Sequence, residues 1–389
     1  MAERNVVITG IGIVSCLGEG PDAHWQRLNE GPPSPDTTRF APYVVHALAP
    51  IEFDKQIPKK GDQRQMEAWQ RIGTYAAGLA LDSAGLKGKA ELARTDLLVA
   101  AGGGERDCAV DTAILTGLRG AQNREVFLNE RLMSDLRPTL FLAQLSNLLA
   151  GNISIVHGVT GSSRTFMGEE AAGVDAVRIA AARIASGQSE VVLVGGASNA
   201  ERPDLLLVYG AGGALLQGAF APVFERSGGG MALGSLGAFL VLESAEHAQS
   251  RGATPLARLT RVLSDRTARR PGDTAAMLKR MWGELTPLLA VKRHAVISGA
   301  TGVDPATAEE REFFARHAVP VRTTGTYIGH AVEAQFPMNI AIATLALRHG
   351  RLYPPTGTAE AAMDGPLSQA VVTGVGHWRG EGLALVEAA

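Results

Sequence analysis

Short apolar runs recur along this chain, and most of them end at glycine. Each run is either continuously apolar or alternates apolar with polar positions, which predicts β-strands that are buried in a sheet. A glycine that follows such a run indicates a turn. The predicted strands are 6–9, 97–101, 163–167, 190–194, 238–243, 295–298 and 383–386.

Helical patterns alternate with these strands. Segment 171–186 is the most distinctive, because Asp175, Arg178 and Arg183 fall within one arc of about 140° while alanine, valine and isoleucine fill the rest. Such a helix needs neighbours on most sides. Strands that alternate with helices predict an α/β layered architecture. Further helices are predicted at 21–29, 63–84, 273–288 and 333–349, with a proline-initiated helix within 136–158.

Repeated phrases indicate an internal duplication. Two pairs are nearly the same: VVITGIG at 6–12 with VVTGVG at 371–376, and VVLVGG at 191–196 with AVISG at 295–299. Their spacing is too long for a solenoid of short repeats, so we predict two related halves. The predicted N-terminal half is 1–253 and the predicted C-terminal half is 254–389.

Composition excludes several classes of function. The 389 residues are 46% hydrophobic and 20% charged, with a formal net charge of −2, which gives no electrostatic case for nucleic acid or an anionic membrane. Cys16 and Cys108 are too few and too far apart for a metal motif or a disulfide framework. The sequence contains no run of about 18 apolar residues, so no membrane span is predicted. The N-terminus has the pattern of a strand and not that of a signal peptide. We therefore expect a cytoplasmic protein with no metal and no cofactor.

The turn before helix 171–186 carries two adjacent carboxylates, Glu169 and Glu170. Acidic residues at a helix N-terminus complement the helix dipole and the free N–H groups, and each contributes about 0.3–1 kcal/mol. On the residues alone, capping is the preferred interpretation of this pair.

Stretch 161–187 resembles the segment around the nucleophile of elongating β-ketoacyl-ACP synthases, the condensing enzymes of the thiolase fold. In that family a strand runs into Thr-Ala-Cys and then into a buried helix. When the stretch is lined up from Gly161 to Gly173, the cysteine of the family falls on Glu170. The opening phrase VVITGIGIVS and the segment 219–260 carry the same resemblance. It implies an α/β thiolase-like five-layered sandwich (αβαβα) made of two pseudo-duplicated halves.

The resemblance weakens at the other catalytic positions. The first histidine of the family falls on Ala300, and the lysine before the second histidine falls on Gly325. His330 keeps the second Gly-His pair, and it is either a retained site residue or a packed residue at a helix start. The glycine-rich terminal loop of the family maps to 376–381, where bulkier residues stand at the gate of the acyl pocket: His377, Trp378 and Arg379.

Chemistry argues against ordinary condensation by this chain. A thiolate works because the helix N-terminus lowers its pKa and because thioesters exchange with thioesters. A carboxylate at position 170 would form an anhydride, which lies well uphill of the incoming thioester. Loss of the first histidine removes a further factor of about 10²–10⁴ in rate.

Three hypotheses follow from the resemblance. In the first, the chain is a non-condensing subunit similar to a chain-length factor, which pairs with an active β-ketoacyl-ACP synthase and with acyl carrier protein in fatty acid, very-long-chain fatty acid or polyketide and polyene biosynthesis. In the second, it is a malonyl-ACP decarboxylase or another acyl-ACP-processing enzyme that uses Glu170, because relatives with glutamine at this position decarboxylate. In the third, it is a homodimeric acyl-ACP-binding scaffold without turnover.

Family members dimerise through the sheet edge beside the nucleophile strand. The resemblance therefore implies an interface along the predicted strand 163–167, whose uncovered edge would otherwise be a liability. Its residues are Ser163, Arg164, Thr165, Phe166 and Met167.

Overall fold

Strands and helices alternate along the chain. The computed structural model describes residues 4–135, 141–142, 144–363 and 365–389. The strands are β1 (Val6–Ser15), β2 (Gly18–Glu19), β3 (Val45–His46), β4 (Asp96–Ala100), β5 (Ser163–Phe166), β6 (Val191–Ser198), β7 (Leu233–Gly234), β8 (Leu236–Ser244), β9 (Ala257–Asp265), β10 (His294–Ser298), β11 (Val321–Thr323), β12 (Gln369–Val375) and β13 (Glu381–Ala388). The α-helices are α1 (Gly20–Glu30), α2 (Lys60–Gln65), α3 (Ala68–Ser83), α4 (Cys108–Gly120), α5 (Arg124–Ser134), α6 (Leu148–His157), α7 (Glu170–Ala185), α8 (Pro203–Ala211), α9 (Ala245–Ser250), α10 (Asp273–Leu285), α11 (Ala306–Arg316), α12 (Gly325–Ile328) and α13 (Gln335–Arg348).

The large sheet is made of two groups of strands with one topology. The first group has the order β5-β4-β6-β8-β1, and the second has the order β11-β10-β12-β13-β9. When the strands of each group are numbered by their order along the chain, both groups have the same spatial order: third, second, fourth, fifth, first. The pairing directions also match, because the first two contacts in each group are parallel and the next two are antiparallel. The chain therefore contains an internal duplication, and the two groups join where β1 pairs with β9.

The repeated phrases that suggested this duplication do not lie on equivalent strands. β1 is the first strand of its group, whereas β12, which carries the matching phrase, is the fourth of its own. Similarly, β6 is a fourth strand and β10 is a second strand. Strands that are buried on both faces consist largely of valine, isoleucine and glycine, whatever their position in the sheet. Similar phrases in two such strands therefore indicate similar burial and not equivalent positions. The predicted boundary between residues 253 and 254 stays a prediction.

Helices fill three layers around the two groups of strands. Helices α7 and α13 contact strands of both groups and lie between them. Helix α3 packs on β1, β6 and β8 and against α6, while α10 packs on β9 and β13 and against α11. Three apolar clusters occupy the resulting interfaces, and the central one contains the alanine-rich side of α7. This arrangement is the five-layered α/β sandwich that the resemblance implied.

Several glycines that the sequence placed in turns lie inside strands. β1 continues through Gly10 and Gly12 to Ser15, and β6 continues through Gly195 and Gly196. A Cβ added to Gly12 would lie 2.0 Å from the Ala76 carbonyl oxygen, so α3 approaches the strand more closely than any side chain permits. In these strands glycine marks close packing of a helix and not the end of the strand.

The predicted helix 63–84 is wrong at its start. The structure has two helices, α2 and α3, which are separated at Met66 and Glu67. Glu67 and Gln70 form a capping box at the start of α3, a signal that the sequence contained and the apolar periodicity hid. The helix predicted at 273–288 ends at Leu285 and is followed by a 3₁₀ turn, Thr286–Leu288.

The remaining predicted helices differ from the structure at their ends. The start of the proline-initiated helix predicted within 136–158 lies outside the described residues, and α6 is a separate helix that begins at Leu148 after the non-helical residues 144–147. No helix in the described ranges is long and apolar enough to cross a bilayer.

The two ends of the large sheet differ. β5 is the last strand at one end, and Ser163 and Arg164 are exposed there. At the other end, β11 is covered by segment 353–361. The Arg322 guanidinium donates to the carbonyls of Tyr353 and Ala361, and the Thr323 N–H donates to a Glu360 carboxylate oxygen.

We predict that Gly12→Ala destabilises the fold by about 1–3 kcal/mol or more, because the added methyl group would force α3 away from β1. The matched control is Gly283→Ala in α10, where a Cβ has no atom within 4 Å. It is expected to be neutral or stabilising by up to about 1 kcal/mol. Denaturant unfolding of both variants measures the difference, and equal stabilities would contradict the close-packing argument.

Candidate functional site

A carboxylate and two histidines meet at the N-terminus of α7. Glu170 Oε1 lies 2.9 Å from His330 Nε2 and 2.8 Å from His377 Nδ1. The backbone N–H of His377 also faces Oε1, at 3.3 Å. The three side chains are buried, with 4%, 2% and 7% of their surfaces exposed for Glu170, His330 and His377. The site is therefore a closed cluster within the protein.

The turn from β5 into α7 places Glu170 in this cluster. Gly168 has φ 133° and Glu169 has φ 59°, so the chain reverses through two residues with positive φ before the helix begins. Positive φ costs a non-glycine residue such as Glu169 roughly 1–3 kcal/mol. The sharp reversal makes residue 170 the first residue of the helix and directs its side chain at His330 and His377.

The Glu170 carboxylate has side-chain partners that the capping interpretation did not include. No side-chain hydrogen bond caps α7, and the Glu170 hydrogen bonds in the described part of the chain run to His330 and His377. Burial alone would raise the pKa of Glu170, but the hydrogen bonds and positive charge of the two histidines outweigh burial and hold its pKa far below its usual range. Glu170 is thus an anion, and both ring nitrogens that face it donate N–H.

His377 is the cationic partner of this anion. Burial alone would lower the pKa of His377, but the hydrogen bond and charge of Glu170, with a smaller effect of Glu169, raise it. Its other ring nitrogen, Nε2, lies 3.9 Å from a Glu169 oxygen. Its ring also meets the Tyr209 ring edge-on, with 5.3 Å between centroids. A buried ion pair between Glu170 and His377 results, with His330 as a further donor.

The structure divides the three residues assigned to the acyl gate. His377 lies in the cluster and also borders a surface cleft of about 410 Å³, whereas the exposed Trp378 and Arg379 line this cleft without joining the cluster. Ala300 is buried in an apolar cluster with residues such as Val223 and adds no polar group to the site. The structure thus brings together Glu170, His330 and one member of the predicted gate.

Several residues at the site were missed from the sequence. Glu333 lies at a 3₁₀ turn, Val332–Ala334, two residues after Ala331, and its carboxyl group packs against Gly102. Burial, with the charges of Glu170 and Glu169, raises the pKa of Glu333 to about 7. Tyr209 and Arg202 from the α8 region line a cavity of about 80 Å³ with it. No sequence pattern signalled Glu333, Tyr209 or Arg202, because segments far apart in the chain bring them together.

This small cavity is polar and too small for an acyl chain. Its volume of about 80 Å³ is far below the roughly 300–1,000 Å³ of small-molecule sites. Glu333, Arg202 and Tyr209 would place charge or hydroxyl groups against any apolar chain. The described residues contain no group of three or more His, Cys, Asp or Glu side chains arranged to hold a metal ion.

Comparison with known proteins identifies the family of this chain and supports its fold. The family model for the β-ketoacyl synthase N-terminal domain matches residues 3–248. The tetracenomycin polyketide synthase ketoacyl synthase beta subunit of Streptomyces glaucescens is 30% identical, over 93% of this chain and 90% of that protein. The 3-oxoacyl-[acyl-carrier-protein] synthase 2 of Vibrio harveyi is 29% identical over 67% of this chain, and the match spans only 62% of that relative's length.

Solved structures show the same fold. A chain of the ishigamide ketosynthase/chain length factor superposes with a TM-score of 0.80, 19% identity and full coverage of both chains. A β-ketoacyl synthase from Burkholderia phymatum STM815 gives a TM-score of 0.79 at 19% identity, over 99% of this chain and 100% of that one.

We predict that Glu170→Gln lowers the free energy of unfolding by about 2–4 kcal/mol, because the two buried histidines lose their carboxylate partner and His377 must then give up its proton or stay buried without a counter-charge. Simple capping would cost about 1 kcal/mol or less. Glu169→Gln is the matched control, since 30% of the Glu169 side chain is exposed and its nearest histidine nitrogen is 3.9 Å away. Urea unfolding at neutral pH compares the two, and equal small losses would contradict the buried ion pair.

A second prediction concerns the pH dependence of stability. In the unfolded chain a glutamate ionises near pH 4.3, whereas folded Glu333 resists ionisation until about pH 7. The native state therefore binds more protons in this interval, and stability falls as pH rises through it. Glu333→Gln should remove that part of the fall and be about 1–3 kcal/mol more stable than the unchanged protein at pH 8, with no gain at pH 4.

The control for this titration is Glu312→Gln, at an exposed side chain that pairs with Arg316. Its stability curve is expected to run parallel to that of the unchanged protein between pH 4 and pH 8. A parallel curve for Glu333→Gln as well would mean that Glu333 ionises normally in the folded state.

Proposed function

Because this chain belongs to the β-ketoacyl synthase family, we propose that it is a non-condensing subunit, similar to a chain-length factor, that pairs with an active β-ketoacyl-ACP synthase. The observation that carries this proposal is the buried Glu170–His330–His377 cluster at the position of the nucleophile. The pair would act with acyl carrier protein in the cytoplasm, in fatty acid, very-long-chain fatty acid or polyketide and polyene biosynthesis.

Glu170 is unsuited to carry an acyl group. Its Oε1 accepts hydrogen bonds from two histidines, whereas Oε2 has no hydrogen-bond partner among the described residues. Because the two oxygens share one negative charge, the bonds to Oε1 stabilise the whole carboxylate and reduce its nucleophilicity. Attack on a thioester would convert the anion into a neutral anhydride and leave the cationic His377 buried without a partner. Condensation through an acyl-enzyme is therefore opposed both by bond energies and by the electrostatics of the site.

The same charges oppose the decarboxylase hypothesis. A bound malonyl group would bring a carboxylate toward Glu170, Glu169 and Glu333, and like charges in a low-dielectric site repel strongly. Decarboxylation is favoured when the developing enolate meets a free donor, whereas the donating nitrogens of His330 and His377 are engaged by Glu170. No observation favours this activity over the partner-subunit role.

The exposed edge of the sheet supports assembly with a second chain. The Leu97 N–H donates to the carbonyl of Ser162 and the Ala101 N–H donates to that of Phe166, at 2.9 and 3.0 Å. Residues alternate along a strand, so Ser163 and Thr165 direct their backbone groups away from β4. These groups, beside the exposed Met167, are a template for a strand from a related partner.

The relatives are consistent with a two-subunit arrangement. One of them is named a ketoacyl synthase beta subunit. The alpha subunit of the same tetracenomycin system also matches, at 26% identity over 92% of this chain. Homodimeric scaffolding would use the same edge, so the experiment has to distinguish the identity of the partner.

The test is reconstitution with an intact β-ketoacyl-ACP synthase from the same genome. We predict that the chain alone, incubated with acyl-ACP and malonyl-ACP, forms no acyl adduct by intact mass, no condensation product and no acetyl-ACP. Co-expression should give a heterodimer by native mass spectrometry, and the heterodimer should condense. A stoichiometric acyl adduct on this chain would overturn the proposal, and a persistent homodimer that ignores the synthase would favour the scaffold hypothesis.

Edge variants locate the interface in the same experiment. Thr165→Pro removes an outward-facing N–H and leaves the β4 ladder intact, so it should abolish the heterodimer without loss of the folded monomer. Gly283→Ala, on the remote helix α10, serves as the control and should leave assembly unchanged.

A further inference from the structure

The cleft that Trp378 and Arg379 line does not reach the carboxylate of Glu170. This cleft of about 410 Å³ is bordered by His377, Trp378, Arg379 and Arg269, and Glu170 is not among its lining residues. The hairpin 376–380, which connects β12 to β13, lies between the cleft and the cluster. Whatever enters the cleft therefore meets the outer side of this hairpin first.

The hairpin fits the start of α7 without spare room. A Cβ on Gly376 would lie 2.9 Å from Glu170 Oε2, and a Cβ on Gly380 would lie 2.6 Å from the Ala171 Cβ. The Gly376 N–H closes the hairpin on the Gly380 carbonyl at 2.9 Å. This close fit lets the hairpin insert the His377 side chain beside Glu170 and cover it.

Arg269 holds the hairpin from its other side. Its Nε donates to the Gly376 carbonyl at 2.8 Å and its Nη2 donates to the Gly380 carbonyl at 2.9 Å. Its Nη1 donates to the carboxylate of Glu381, which is itself fully buried. One planar guanidinium thus ties both ends of the hairpin to the strand that follows it, a geometry that a lysine cannot reproduce.

The backbone of Arg269, the residue that makes these contacts, is strained. Its φ is 59°, in the left-handed region that an arginine rarely adopts. Only 9% of the side chain is exposed, so the guanidinium is a buried charge whose donors are used on the hairpin, on Glu381 and on Thr267. Strain and desolvation together at one residue point to a constraint beyond ordinary packing.

We propose that Arg269 is a positioning residue that clamps the hairpin 376–380 over Glu170, so that the hairpin plugs the route from the surface cleft to the former nucleophile position. The inference rests on the proposed function, because the plug would keep acyl groups out of this subunit and leave them to the partner. The clamp acts through His377 and takes no part in bond making or bond breaking.

The titration of His377 separates clamping from mere electrostatics. The groups that face His377 are Glu170, Glu169 and Arg269, with the Tyr209 ring against its edge. The positive charge of Arg269 lowers the pKa of His377, whereas Glu170 raises it. If Arg269→Ala only removes a charge, the pKa of His377 must rise. If the hairpin swings out and His377 leaves Glu170, the pKa must fall toward its ordinary value of about 6.5.

We predict the fall. NMR of protein with labelled histidine rings follows the titration, and the spectrum of His377→Gln identifies the signal among the 9 histidines. Arg269→Gln, which retains the chain length and one donor group, is a second variant in case Arg269→Ala folds poorly. Added guanidinium ion, well below the concentration that unfolds the protein, should restore the high pKa in Arg269→Ala. A rise or no change in both variants would overturn the proposal.

Accessibility of position 170 gives an independent measurement. In Glu170→Cys, alkylation at that position by iodoacetamide should be slow, and adding Arg269→Ala should speed it by about tenfold or more, because a lost charged hydrogen bond raises the open population by at least this factor. Arg316→Ala, at an exposed pair on α11, is the control. Equal rates with and without the clamp would contradict the plug. Failure to form a heterodimer, with the clamp intact, would instead count against the proposed function alone.

Discussion

A buried carboxylate that needs donors from distant parts of the chain constrains this structure. Glu170 comes from the start of the central helix, His330 from the turn after α12, and His377 from the hairpin between the last two strands. An unpaired charge at this depth would lower the stability of the fold by several kcal/mol, so the three segments have to pack together. The cluster therefore ties the first half of the fold to the second.

The apolar pattern predicted the layers better than it predicted their details. Continuous apolar runs and the alanine-rich helix α7 indicate buried strands and a central helix, because burial on both sides leaves little choice of residue. The same uniformity misled at Gly10, Gly12 and Gly195, where glycine makes room for a neighbouring helix or strand in the middle of a strand. It also paired the wrong phrases as repeats, whereas strand order and direction identify the true equivalents.

The candidate site could be predicted only where its residues are contiguous. Glu169 and Glu170 stand out because two carboxylates precede an apolar helix, and lining up the family placed Glu170 at the nucleophile. His377 was assigned to a gate because the glycine-rich loop of the family maps to 376–381. Its contact with Glu170, 207 positions away, leaves no local pattern in the sequence. Glu333, Tyr209 and Arg269 gave no signal at all, since their contacts with the site exist only in the completed fold.

The unequal ends of the sheet determine how large an assembly can grow. One end, β5, directs backbone groups outward, whereas the other end is closed by Arg322 and Glu360 through segment 353–361. A chain with two open edges could add copies without limit and form filaments. With one open edge, each chain has a valence of one, and pairing with any related chain uses it up. Strand addition at the ends of the large sheet would therefore stop at two subunits, and the covered far edge would not extend the sheet into a fibre.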